Sequence, residues 1–216
     1  MISRSSESGV RTSYDRRMLV EHSGESPRIH PSAWVAPNAT VVGDVEVGPE
    51  SRVLFGAVLT ADGGRIRVGS QCVVMENAVL RGTPKHPLQI GDQVLVGPRA
   101  YLSGCTIDDE VFLATGSTVF NGAHVGYRAE VRVNGTVHLK TVLPAEAVVP
   151  IGWVAVGDPA QVLPQNLHDE IWSIQEPLDF PKEVFDEERS PDIMTRIMPK
   201  YTRGLSSHRG DRIIES

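Results

Sequence analysis

Residues 107–137 read IDDEVFLATGSTVFNGAHVGYRAEVRVNGTV, with aliphatic residues six apart at Ile107, Leu113, Val119, Val125, Val131 and Val137. An amphipathic helix repeats about every 3.6 residues and a half-buried strand about every 2, so neither accounts for a sustained period of six. The spacing continues toward the N-terminus. It runs through Ile90, Val96 and Leu102, through Val68, Val74 and Leu80, and through Ile29, Val35, Val41, Val47, Val53 and Leu59. Two insertions, ADGGR (61–65) and GTPKHPLQ (82–89), interrupt it without ending it. Two positions before most of these aliphatics stands a small residue, among them Ala57, Cys72, Ala78, Ala100, Cys105, Ser117, Ala123 and Ala129.

Such a repeat predicts an all-β solenoid, the left-handed parallel β-helix, in which three hexapeptides close one triangular coil. The aliphatic residue fills the prism and the small residue fits the corner beside it. The glycine that often follows, as at Gly48, Gly69 and Gly97, is read as the residue that permits the turn. Eighteen aliphatic positions predict six coils, stacked about 4.8 Å apart. The pattern is expected to fray after Val137. NLHDEIWSIQE (166–176) carries Leu167, Ile171 and Ile174 at helical spacing and predicts a C-terminal α-helix packed on the prism. PLDFPKEVFDEERSPD reads as a charged, Pro-rich connection, and Ser190-Pro191 as the start of a short helix ended by Pro199. The expected organisation is a flexible extension over 1–27, a β-helix over 28–163, a C-terminal helical segment over 164–203 and a flexible tail over 204–216.

Composition narrows the function. A net charge of −6 lacks the basic footprint of a nucleic-acid partner. The longest apolar run, AVVPIGWVAV (147–156), is interrupted by Pro150 and Gly152 and is too short to span a bilayer, so no membrane association is expected. Cys72 and Cys105 do not make a disulfide framework, which fits a reducing, cytoplasmic compartment.

Positions three hexapeptides apart share an edge of the prism, so Thr60, Arg81, Ser103, Phe120 and His138 should stack along one edge. VLTADGGRIRVGSQCVVMENAVLRG (58–82) followed by IGDQVLVGPRAYLSGCTIDDEVFLATGSTVFNGAHVG (90–126) resembles gamma-class carbonic anhydrase, and the resemblance runs from about Arg28 to Val162. It implies a homotrimer, and it implies a metal, usually zinc, held between subunits by three histidines. Arg81 and Ser103 stand where one subunit's two histidines would be, and Pro98 where the neighbour's third would be. The family's R-x-D is Thr60-Ala61-Asp62 here, and its N-x-Q-D is Val73-Val74-Met75-Glu76. None of the three substituted side chains replaces a histidine ligand. Proline has no donor, arginine is a permanent cation, and a single hydroxyl does not hold zinc. No metal and no cofactor is therefore expected there.

Arg81 has two readings: an inter-subunit salt bridge with Asp62 or Glu76, or an anchor for a carboxylate or other small anion in the cleft. Tyr101 and Ser103 would add hydrogen bonds to such a ligand. Three functions follow. The first is a metal-free relative that is structural or binds a small anion. The second is a metal-independent enzyme with Glu76 or Asp62 as acid or base. The third is a coenzyme A-dependent acyltransferase, whose base would be sought among His86, His124 and His138. Whether the protein is catalytic is left open.

Overall fold

The computed structural model describes residues 17–214. Its body is a parallel β-solenoid with three faces, the left-handed β-helix that the repeat predicts. Seven strands from Arg28–Ile29 to Val142–Leu143 form one face, and seven from Trp34–Val35 to Val148–Val149 form a second. The third, longest face holds eight parallel strands from Met18–Glu21 to Val154–Val156, with an antiparallel strand at either end, Arg212–Ile214 and Gln161–Leu163. Every inward aliphatic of the repeat except the half-buried Ile29 is fully or nearly fully buried, in one continuous core.

The coil is longer than expected. Leu143, Val149 and Ala155 continue the period of six and are buried, and their strands pair in register with the preceding coil. The charged and proline-containing turns between them hide this continuation in the sequence, but only the inward position must stay apolar. Both ends differ from expectation too. Met18–Glu21 lies within the expected flexible extension and Arg212–Ile214 within the expected flexible tail, yet they pair with each other through Leu19↔Ile214, Val20↔Ile213 and Glu21↔Arg212. Residues 1–16 of that extension and 215–216 of that tail lie outside the described residues.

The glycine after the aliphatic has a different role from the one expected. It is the third residue after most of the aliphatics that enters the left-handed region, as at Glu50 (φ 56°), Gln71 (φ 55°), Asn77 (φ 58°) and Gly116 (φ 67°). The glycine directly after the aliphatic is required by close approach between coils. A Cβ on Gly69 would stand 2.4 Å from the carbonyl oxygen of Gly91, and one on Gly97 would stand 2.6 Å from the carbonyl carbon of Ala114.

Three short helices follow the solenoid: α1 (His168–Gln175), α2 (Phe180–Phe185) and α3 (Ile193–Gly204). Helix α2 forms inside the segment read as a connection, and α3 runs through Pro199 instead of ending there. An aromatic chain ties this segment to the long face. Phe180 meets Phe120 edge-on with ring centroids 6.5 Å apart, then Phe185 at 6.2 Å, and Phe185 meets Tyr201 at 5.8 Å. No helix among the described residues is long and apolar enough to cross a membrane.

Candidate functional site

The long face carries the residues singled out in the sequence. Parallel register sets Arg81 opposite Thr60 on one neighbouring strand and opposite Ser103 on the other. Phe120 and His138 extend the same column, with ring centroids 5.2 Å apart. Asp62 follows the strand Val58–Ala61 and opens the first insertion. The two insertions stack on one corner, where a Cβ on Gly64 would fall 2.0 Å from the carbonyl oxygen of Thr83.

Within this one chain, Arg81 donates from Nη2 to Oδ2 of Asp62 at 3.0 Å. This pair lies within one chain, whereas the expected bridge runs between subunits. Burial opposes the Arg81 charge most strongly, yet Tyr201, Tyr101 and Asp62 around the guanidinium outweigh it and raise its pKa further. Arginine here is a fixed cation, with donors of its planar fork left beyond the one given to Asp62. Ser103 is only 4% exposed. Tyr101 stands two residues before it on the same outward side, edge-on to Phe120. Glu76 is not brought to this group. It lies in the turn before Val79–Gly82, at the opposite corner of the face, and forms no ion pair with Arg81 among the described residues. Pro98 occupies the equivalent turn one coil further on, before Tyr101–Ser103.

Sequence reasoning missed what the C-terminal segment contributes. Glu183 of α2 accepts from Lys140 at 2.6 Å and from His86 Nε2 at 2.7 Å. Lys85 donates to the Glu183 carbonyl at 2.9 Å. Together these strap α2 across the insertion corner. Tyr201 of α3 reaches Arg81, and His208 beyond it reaches the neighbourhood of Asp62. Except for Lys140, which holds a turn position of the repeat, these residues lie outside the six-residue register, so the repeat gave no signal for them.

The acyl-base candidates are also placed. Nδ1 of His138 accepts the backbone N–H of Leu139 at 2.8 Å, which puts the ring proton of the neutral form on Nε2 and leaves no free lone pair for a base. Burial lowers its pKa, against a raising contribution from Gln175. His124 lies on another face, paired through Nε2 with Asp108 at 2.8 Å.

These features define a hexapeptide-repeat β-helix whose long face bears an arginine–aspartate pair under a C-terminal strap. No family model matches the chain. Gamma carbonic anhydrase 1, mitochondrial, of Arabidopsis thaliana is 33% identical over 161 residues, which are 72% of this chain and 56% of the relative. The "Probable carbonic anhydrase" of Methanocaldococcus jannaschii is 31% identical over 142 residues, 66% of this chain and 86% of the relative. Among solved structures, a Bacillus cereus protein named as a candidate acetyltransferase superposes with a TM-score of 0.54 at 27% identity, over 75% of this chain and 92% of its own. The chain belongs to the gamma carbonic anhydrase-like hexapeptide-repeat family. It spans 56% of the length of the Arabidopsis relatives it matches.

Proposed function

We propose that the protein is a gamma carbonic anhydrase-like homotrimer that lacks the family's zinc site between subunits, does not hydrate carbon dioxide, and binds a small carboxylate or bicarbonate at Arg81. The observation that carries this reading is the state of Arg81 itself. At a position where the family resemblance implies a metal ligand, the chain holds a permanent cation already paired with Asp62. The Arg81 guanidinium has no lone pair to give a metal ion and attracts an anion, and its planar fork grips a carboxylate through two parallel bonds. Ser103 and Tyr101 beside it offer hydroxyls. Without a metal-bound hydroxide, hydration of carbon dioxide near neutral pH has no nucleophile at this position.

The outward side of the second face supports association. Trp34, Val73, Leu95, Phe112 and Val148 stand outward on five of its seven strands, with Arg52 and Glu130 on the other two, and Trp34 and Phe112 are about two-fifths exposed, at 41% and 39%. A run of apolar side chains on a flat face suits burial against another copy. The cytoplasmic assignment rests on cysteine usage alone, and the Arabidopsis relatives are named mitochondrial.

The test is a carbon dioxide hydration assay together with a thermal-shift screen of small carboxylates, bicarbonate and phosphate. No rate above the uncatalysed one is expected. At least one anion should stabilise the wild type but not Arg81→Ala, with affinity lower by about ten-fold or more. Hydratase activity abolished by Ser103→Ala would sink the proposal. Absence of any anion response would leave a structural subunit as the better account.

One observation favours an acyltransferase as the second reading. The His124–Asp108 pair borders an open groove of about 430 Å³, lined by Arg67, Gln89, Thr106, Asp108 and Tyr127. Stabilisation by acetyl-coenzyme A, lost in His124→Ala, would support that reading, and no response at millimolar ligand would dismiss it.

A further inference from the structure

We infer that His22, His208 and Asp62 form a binding site for one divalent transition-metal ion, with Asp211 and Arg81 as positioning residues. This site adjoins the family's position at Arg81, Ser103 and Pro98 and shares the Arg81–Asp62 pair with it, but the inference does not rest on the anion reading above.

Chain topology assembles the group. Glu21 and Arg212 are cross-strand partners where the N-terminal and C-terminal strands pair antiparallel, so the next residues along that register, His22 and Asp211, face each other. His208 comes from the 3-10 turn just before Asp211. Asp62 comes from the first insertion, and His22 packs over Ala61 beside Gly43, where a Cβ would stand 3.5 Å from that of His22 and 3.1 Å from the Ala61 carbonyl. One ring nitrogen of His22, one of His208 and a carboxylate oxygen of Asp62 lie within 4.8 Å of one another. The two imidazoles stack with centroids 4.4 Å and planes 28° apart, so one ring must turn for both lone pairs to meet at a single ion.

The hydrogen bonds leave one nitrogen free on each ring. Nδ1 of His22 is 2.6 Å from one Asp211 oxygen, and Nδ1 of His208 is 2.8 Å from the other. A carboxylate acceptor fixes a proton on each Nδ1, which leaves Nε2 with its lone pair on both rings. Asp62 gives Oδ2 to Arg81 and keeps Oδ1. Each prospective ligand is thus oriented through its second polar atom by an outer partner, the arrangement that sets imidazole tautomer and basicity in metal sites. Among the described residues, no hydrogen bond joins His22, His208 and Asp62 to one another. His22 is 5% exposed, so its imidazole sits in a dry setting that favours coordination over hydration.

Ligand chemistry selects the ion. Two imidazole nitrogens and one carboxylate oxygen suit zinc, cobalt(II) or iron(II), and not magnesium or calcium, which take oxygen donors. Three protein ligands leave a position for water or an exogenous ligand. Metal–ligand bonds of about 2.0–2.2 Å require the three atoms to draw together and one imidazole to turn out of the stack. Asp62 and Asp211 carry two negative charges against the one positive charge of Arg81, which leaves the site net negative for a cation. The ion would also join the two ends of the chain.

The test uses tag-free, full-length protein stripped with chelator and dialysed, then titrated with zinc or cobalt(II) alone by calorimetry. One equivalent per chain is expected, with the visible bands of four-coordinate cobalt and a rise in Tm. His208→Ala, which removes a side chain about one-third exposed and outside the core, should reduce affinity by a hundred-fold or more. Asp211→Asn should weaken binding by about ten-fold to a hundred-fold while one-to-one stoichiometry is kept, and Asp211→Glu should restore part of it. Binding lost in His208→Ala but kept in Ser103→Ala assigns the metal to this site. A wild type that takes up neither ion overturns the inference, as does binding indifferent to His208→Ala. Binding lost instead in Ser103→Ala would overturn both this inference and the metal-free reading of the family position.

Discussion

Replacing Glu183 by glutamine should release the strap over the long face without touching the solenoid. The Glu183 carboxylate is 16% exposed and receives two contacts, from Lys140 at 2.6 Å and from His86 at 2.7 Å, whose side chains are 42% and 23% exposed. A hydrogen bond to a charged group contributes about 1.5–3 kcal/mol when well shielded, and an exposed ion pair about 0.2–1 kcal/mol. Lys140 belongs near the lower range and His86 near the bottom of the upper one, so about 2 kcal/mol rests on this carboxylate. Glutamine keeps the size and loses the charge. If most of that stabilisation is lost, opening of α2 becomes about thirty-fold more frequent, because each 1.4 kcal/mol or so is a factor of ten. Amide hydrogen exchange across Phe180–Phe185 should accelerate by that factor, while the core strands keep their protection and the main thermal transition stays in place.

The pH dependence follows from the same contacts. Lys140 first, then His86, hold the Glu183 carboxyl below its ordinary range against the opposing effect of burial. A folded value below the unfolded one means that the stabilisation is complete above the unfolded pKa and fades as pH falls through the folded value. Protection of α2 in the wild type should therefore decline in acid, starting below about pH 4.5, and this decline should be absent in Glu183→Gln. Unchanged α2 exchange in the variant, or acceleration spread evenly over the coils, would refute the argument.

Two further outcomes test the scaffold. Ala123→Glu should prevent folding of the coil, because this corner slot is 2% exposed and stands between stacked turns, with no room for a buried charge; circular dichroism and solubility would show it, and a soluble, cooperatively folding variant would contradict the register. Phe112→Glu should shift light scattering from trimer to monomer at micromolar concentration while the β-sheet spectrum is retained, and a wild type that is already monomeric would remove the proposed assembly.

The solenoid was legible because its constraint is local and periodic. An inward position six residues after the last must be aliphatic whatever the turns contain, and so Val119 or Val131 declares the fold without reference to any distant residue. The same locality explains the errors. Ala155 is an inward residue too small to stand out, and the charged and proline-containing turns after Val137 made the pattern seem to fray there. The glycine at position 69 or 97 looked like a turn residue, because a sequence does not show how closely the next coil passes beneath it.

Chemistry on the long face divides along the same line. Arg81, Ser103 and Tyr101 belong to the register, and counting hexapeptides placed them together. Glu76 was joined to Arg81 as a partner across subunits, and within one chain it lies at the opposite corner of the face. Everything else there arrives from outside the repeat. His22 and His208 are 186 positions apart (208 − 22), and they meet because Leu19, Val20 and Glu21 pair with Ile214, Ile213 and Arg212. A repeat supplies a surface of known pitch, and its open end supplies an unpaired strand edge that must be covered. Here the chain covers that edge with its own two termini, and this closure carries His22, Asp211 and His208 to Asp62. The strongest concentration of metal-binding side chains in the described structure is therefore a consequence of capping the solenoid, located where the six-residue pattern stops giving information.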